Sequence, residues 1–314
     1  MLAAFFILYI HYQGNGSLSL LFGAAILISL GSLVVLEVFN SLAEQGTKKG
    51  IMELFTTVII IAFIWVVLTS LLGTSHPLDV VPSCSMLPVL SRGDMIIIKG
   101  VANASDIHAP MVDMSKSAMA AILQNPSLES LECVAYKVTG SGISVNQFIA
   151  PGYSIGLYRP GIDGGSIISN GSQASNPIRY LCGEQSVRLQ NGTIAEEAYI
   201  RSITIGNTTI TGDQNNSIIV YHTLPQDLFY REGDSYIVHR VYAIINVTGS
   251  YYFLTKGDNN PGLDMQFLNV PPNMSQVQGQ VVATIPYIGY LKLAFSNQLT
   301  QPAGCNTTVI HGGA

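Results

Sequence analysis

Apolar residues are spread unevenly along this chain. They run almost unbroken through two stretches near the amino terminus, then give way to short runs punctuated by turn residues. The two stretches are LSLLFGAAILISLGSLVVLEVF (Leu18 to Phe39) and LFTTVIIIAFIWVVLTSLLG (Leu54 to Gly73). A helix rising ~1.5 Å per residue needs about 20 such residues to cross a ~30 Å hydrocarbon core. The pattern therefore predicts transmembrane helices over 18–40 and 54–73, joined by a loop over 41–53. Glu37 falls near the end of its span, within reach of the interface. The leading MLAAFFILYIHY is too short to span and lacks the basic region of a cleaved signal peptide. Residues 1–17 are read as an extracytoplasmic or partly inserted segment.

From Pro77 onward the period changes. LDVVPS, DMIIIKG, SIIVYHTL, SYIVHRVYAIINV, YYFLTK and QVVATIPYIG combine β-branched and aromatic residues, bounded by Gly, Pro, Asn and Asp. They predict a mainly β domain with many pairings between distant segments. MSKSAMAAILQ (Met114 to Gln124) is the best helical signal in it. A block over 102–211, rich in Gly, Ser and Asn, interrupts the pattern. YSIGLYR, SVRLQNGTI and AYIRSITIGNTTITG inside it predict added strands, so it is read as a large β-rich inserted subdomain. The flanking segments 77–101 and 212–295 are read as one core, and 296–314 as a carboxy-terminal tail.

Composition sharpens this picture. The 314 residues are 48% hydrophobic and 11% charged, with a mean hydropathy of +0.38, as expected for a membrane-anchored chain. A net charge of −5 provides no basic field for nucleic acid, which is set aside as a partner. No Lys or Arg precedes Lys48 and Lys49, which fall between the two spans. The positive-inside rule places that loop in the cytoplasm and everything after about Thr74 outside. Asn-x-Ser/Thr sequons at Asn15, Asn103, Asn170, Asn191, Asn207, Asn215, Asn246, Asn273 and Asn306 all fall on expected outside segments, in keeping with a glycoprotein. So do Cys84, Cys133, Cys182 and Cys305, where a disulfide can persist. Four cysteines permit three full pairings; Cys133 with Cys182 is preferred because both belong to the middle region.

Candidate chemistry comes from three separated stretches. PSCSMLP holds Ser85, SYIVHRVYAI holds His239, and FLTKGDNNPGLD holds Asp258 and Asp264. A serine hydroxyl is a weak nucleophile until a base takes its proton, and the base needs an orienting partner. Alone, a strand histidine is more often structural, and GDNN reads as a turn. The order of all three, outside the membrane after a span, makes a nucleophile, a base and an acid the better reading.

These residues resemble type I signal peptidases of the archaeal and endoplasmic-reticulum kind. The resemblance rests on Ser-x-Ser-Met-x-Pro (Ser83 to Pro88) with Arg-Gly-Asp (Arg92 to Asp94), IVHRV (Ile237 to Val241) and TKGDNN (Thr255 to Asn260). Asp264 and PYIGYL (Pro286 to Leu291) complete it. It covers the second span, Leu78 to Lys99, and roughly Gly212 to Leu293. It implies a signal-peptidase-like β fold and a membrane-bound serine endopeptidase that removes signal peptides after small residues, at Ala-x-Ala-like sites. Bacterial members carry a lysine where this chain has His239. Carried over by position, the resemblance implies Ser85 as nucleophile, His239 as general base and Asp264 as its orienting acid. Asp258 shares or supports that last role, and Ser83 with the Ser85 N–H forms the oxyanion hole. The substrate would add as an extended strand beside Val80, Val81 and Pro82. No cofactor or metal is implied. Partners would be signal-peptide-bearing preproteins, the lipid bilayer, and translocon or accessory subunits. The location would be a plasma membrane, with a leaning toward archaea.

Three departures from the family pattern bear on this. Cys84 stands where the family usually has glycine; alternation turns it away from Ser85, so a structural or tuning role is expected. The middle block separates Ser85 from His239 far more than compact members do, which surface loops tolerate. Leu263 stands where an additional acid is common. Two rival readings are a silent membrane-anchored surface glycoprotein built on a signal-peptidase core, and a processing protease dedicated to one substrate class.

Overall fold

The computed structural model describes residues 47–124, 137–139, 142–144, 177–189, 192, 194–300, 302, 305 and 307–310, with Ser29 and Ser32 singly. Those two serines apart, the expected first span lies outside the described residues, as do residues 1–17, the YSIGLYR run and Cys133. The chain divides into two compact units. One takes in residues up to Pro82, Ser91–Gly100 and Val282–Thr300; the other takes in Ser83–Leu90, Val101–Val281 and the residues from Gln301.

The first unit carries helix α1 (Thr47–Leu72). It begins seven residues before the expected second span, so Lys48 and Lys49 sit in its first turn and not in a loop. Its stretch Gly50–Leu72 is long and apolar enough to cross a membrane, and its large apolar side chains are mostly exposed. Three threonine side chains within it are satisfied locally. The hydroxyls of Thr56, Thr57 and Thr69 donate to the carbonyls of Met52, Glu53 and Val66.

Beyond α1 the same unit holds strands β1 (Leu78–Val80) and β2 (Met95–Lys99), antiparallel with Asp79 opposite Ile96. The Arg-Gly-Asp motif is architectural here. Arg92 Nε donates to the Pro82 carbonyl at 2.9 Å, and its terminal nitrogen donates to the carbonyls of Gln298 and Thr300. Gly93 has a left-handed φ of +86°, and a methyl there would come within 2.1 Å of the Tyr290 ring. The Asp94 carboxylate accepts the N–H groups of Ser91 and Tyr287. Burial pushes its carboxyl above the ordinary value, and those two amides partly offset the rise.

The second unit is mainly β. Its described strands are β3 (Met111–Asp113), β4 (Lys137–Thr139), β5 (Gly142–Ser144), β6 (Ile178–Leu189), β7 (Ile194–Ile205) and β8 (Thr208–Thr211). They continue with β9 (Ile218–His222), β10 (Tyr236–Val247), β11 (Ser250–Lys256), β12 (Val277–Ile285), of which the part up to Val281 belongs to this unit, and β13 (Thr307–Val309). Helix α2 (Lys116–Gln124) falls on the expected helical signal. A short helix, α3 (Leu228–Glu232), follows β9. The runs read as β from sequence become β9, β10, β11 and β12, with β10 central. It pairs antiparallel with β9 and β11, and its distal half takes β3 in parallel. A second sheet runs β13-β6-β7-β4-β5, with β8 on β7.

The described strands of the middle block are not packed apart from the core. Its Ile178, Ile200, Ile203, Ile205 and Ile210 share one buried cluster with Tyr242, Ala243, Ile245, Leu254, Leu263 and Met265 of the later segment. Composition marked the block as polar, yet the alternating isoleucines of β7 and β8 supply one apolar face, and a face of that kind must be covered. The sheet is thus built into the core it interrupts.

One disulfide is described, Cys84 with Cys305. Of the three full pairings, this bridge leaves only the one that joins Cys133 to Cys182.

Candidate active site

Strand β10 sets the site through its alternation. Successive side chains point to opposite faces, so His239 and Arg240 face opposite ways. Register places Tyr221 of β9 opposite Ile237, and Thr255 of β11 opposite Val241. Tyr221 and Thr255 therefore flank His239 on its own face. That face is apolar, with Ile219, Ile237, Val241 and Phe253 all buried, and the Phe229 ring meets the imidazole edge-on at 6.1 Å.

Three expected residues meet there. His239 Nδ1 lies 2.7 Å from Asp264 Oδ2, and Nε2 lies 2.9 Å from Ser85 Oγ. Asp264 opens a 3₁₀ turn (Asp264–Phe267), anchored by the Leu263 N–H donating to Gln266 and by the Asn269 amide donating to the Asp264 carbonyl. Its Oδ2 also accepts the Tyr221 hydroxyl at 2.9 Å, and Oδ1 is buried without a hydrogen-bond partner among the described residues.

Electrostatics assigns the protons. Burial alone would raise the Asp264 carboxyl; the charge of His239 and hydrogen bonds from His239, Thr255 and Tyr221 outweigh it and hold the carboxyl below its ordinary value. Asp264 is therefore ionised and can only accept. The imidazole proton then sits on Nδ1, Nε2 is the acceptor, and the Ser85 hydroxyl donates to it. Tyr221 keeps its proton, since burial and then the Asp264 charge push its phenol well above the usual range.

Ser85 is half-buried in the turn that follows β1. Its oxygen has a second neighbour, the Ser83 hydroxyl at 3.2 Å. With the Ser85 proton committed to His239, Ser83 is the donor in that contact. Among the described residues the Ser85 N–H has no hydrogen-bond acceptor. The Ser85 carbonyl, by contrast, accepts the Asn259 N–H at 2.7 Å. The backbone of the GDNN turn passes so close that a methyl on Gly257 would meet that carbonyl at 2.6 Å. Glycine is required there for proximity.

Asp258 is separated from this group. Its two oxygens accept from Nε and the terminal nitrogen of Arg240, at 2.8 and 2.7 Å, and both side chains are buried. Arg240 Nη1 also donates to the Asn216 carbonyl at 2.7 Å. The expectation that Asp258 shares the orienting role is thereby corrected: it neutralises the guanidinium on the opposite face of β10. Cys84 is buried and bridged to Cys305, so it carries no free thiol beside Ser85.

Val80, Val81 and Pro82 belong to the first unit. The Val81 N–H and C=O are bonded to Asp94 and Gly93, and the Pro82 carbonyl to Arg92. Of the three, only Val80 presents main-chain groups away from β2, and its N–H is taken by Asp79 Oδ1. The expected docking stretch is thus narrowed at its far end, because Val81 and Pro82 have already spent their hydrogen bonds.

Sequence reasoning missed Tyr221, Thr255, Asn259 and Arg240. Tyr221 had a readable signal, since a tyrosine at a core position of an apolar strand needs a partner for its hydroxyl. The others depend on register and turn geometry, which no local pattern carries. Among the described residues no cluster of His, Cys, Asp and Glu could hold a metal ion. Comparison with family models, curated proteins and solved structures returns no match to this chain.

Proposed function

We propose that this protein is a membrane-anchored serine endopeptidase of the signal-peptidase kind, cleaving exported precursors after small residues. The observation that carries the reading is the unbroken chain from Ser85 Oγ through the His239 ring to an ionised Asp264. In that chain Ser85 Oγ attacks the scissile carbonyl while His239 Nε2 takes its proton. Asp264 holds the ring in the required tautomer and balances the imidazolium charge. His239 then returns the proton to the leaving amine, and the peptide's new carboxyl end is left as an ester on Ser85. Water, deprotonated by His239, hydrolyses that ester.

The Ser83 hydroxyl and the Ser85 N–H are the donors for the oxyanion. Each such donor is worth ~2.7–4 kcal/mol of transition-state stabilisation. The fold, the small-residue preference and the archaeal leaning rest on the motifs around Ser85, His239 and Asp264. Location rests on α1: Lys48 and Lys49 at its start assign that end to the cytoplasm, which puts Ser85 on the far side.

The test is cleavage of an Ala-x-Ala signal-peptide substrate in liposomes by the full chain, Ser85→Ala and His239→Ala. Each variant is expected to keep its fold and lose at least about 10³-fold in kcat. Cleavage by Ser85→Ala at the wild-type rate would overturn the assignment.

A further inference from the structure

The turn that carries Ser85 is held from behind by the carboxy-terminal strand, through two links of different chemistry. The first is covalent: Cys84, the residue immediately before Ser85, is bridged to Cys305. The second runs through Asn259, which is buried. Its Nδ2 donates to the Cys84 carbonyl at 3.1 Å, its N–H donates to the Ser85 carbonyl at 2.7 Å, and its Oδ1 accepts the Val309 N–H at 2.8 Å. Asn259 thus holds the Cys84 carbonyl with its side chain and the Ser85 carbonyl with its main chain, and the same side chain joins β13.

β13 is itself anchored. It pairs with β6, Val309 opposite Val187, and the Ile310 N–H donates to the Ser186 carbonyl. Val187 and Val309 are both buried against each other, with Leu189 packed beside them. β6 pairs along its length with β7. From β7 the Ile200 N–H donates to the Pro261 carbonyl at 2.8 Å, and Ile200 shares a buried cluster with Leu263 and Met265, the two neighbours of Asp264. The same sheet therefore reaches the nucleophile turn at one side and the acid's turn at another. A loop such as Ser83–Leu90, with no strand partner of its own, needs such external ties to keep a hydroxyl at reacting distance.

We propose that β13 and the inserted sheet it joins act as a brace that positions Ser85, with Cys84, Cys305 and Asn259 as positioning residues that never touch substrate. The inference rests on the peptidase reading for its kinetic consequence, though not for its structural one. A misplacement of about 1 Å at a reacting atom costs about 10²-fold in rate. Loosening the brace therefore acts on kcat and leaves KM nearly unchanged.

The experiment uses the full chain in liposomes, comparing wild type with Cys305→Ser and with Asn259→Ala, the second variant leaving both cysteines in place. Two readouts are taken: kcat and KM on the signal-peptide substrate, and amide hydrogen exchange over 83–90, 257–260 and the β10–β11 pair. The expected result is a kcat about 10- to 100-fold lower in both variants, with KM within about twofold. Exchange should be faster over 83–90 and 257–260 and unchanged in β10–β11. Wild-type kcat in both variants, or a loss confined to KM, overturns the brace. Should the wild type itself fail to cleave, the peptidase reading falls and exchange alone decides: faster exchange over 83–90 upholds the brace, and wild-type exchange overturns it.

Discussion

At the scale of single residues, the chemistry turns on which aspartate faces the histidine. Asp258 and Asp264 are six positions apart in one turn-rich stretch, and both are compatible with the role in sequence terms. The choice is made by Tyr221. Its phenol and the imidazole converge on a single oxygen of Asp264, and both approach from the same face of the β9–β10 pair. Tyr221→Phe removes one hydrogen bond to an ionised carboxylate that has few other partners. Hydrogen bonds to charged groups contribute about 1.5–3 kcal/mol. The variant is expected to lose stability in that range by urea unfolding, and to cleave more slowly because Asp264 is held less firmly. A variant as stable as wild type would mean that the tyrosine hydroxyl merely fills space. Gly257 presents the opposite case: its place in GDNN was legible as a turn, but its reason, the approach to the Ser85 carbonyl, was not.

At the scale of elements, most of what the sequence predicted concerns where strands lie, and least concerns what they touch. The runs around Met95–Lys99, Ile218–His222, Tyr236–Val247 and Ser250–Lys256 were legible because β-branched residues sit between clear turn signals. Serine, histidine and aspartate could be picked out as candidates from their motifs. Distances between them could not, since they depend on register across β9, β10 and β11. The join between the described strands of the middle block and the core was hidden for a related reason: polar composition concealed the isoleucine face that makes it. Alternation along β10 has a consequence that can be measured. Arg240 and His239 are neighbours serving opposite faces, so their acids should be separable. Asp258→Asn leaves a buried guanidinium without its counter-charge, which typically costs about 3–5 kcal/mol of stability. Where both proteins are folded, its kcat should stay within about tenfold of wild type, whereas Asp264→Asn should fall by about 10⁴-fold. Equal losses of kcat in the two variants would mean that the faces of β10 are not independent.

At the scale of the whole molecule, acid acts on the fold through carboxylates of opposite sign. Asp264 is held below its ordinary value of 3.8, chiefly against the pull of its own burial. Its contribution to stability is fully present above that value and is lost as pH falls through the lower one it has in the folded protein. Asp94, Asp227 and Asp234 behave in the reverse sense, because burial raises their carboxyls above the ordinary value. The folded chain takes up those protons more readily than the unfolded chain, so acid relieves a cost there. The wild-type acid-unfolding curve is a sum of both signs and identifies neither. A difference curve does, because Asp264→Asn cancels every carboxylate the two proteins share. The stability advantage of wild type over Asp264→Asn should hold down to about pH 4 and then shrink progressively as pH falls further, read from denaturant midpoints at each pH. An advantage that stays flat across that range would mean Asp264 titrates alike in the folded and unfolded chains. The carboxylate would then not be the charged partner of His239, and the proton assignment that makes Ser85 Oγ the donor to the imidazole would fail with it.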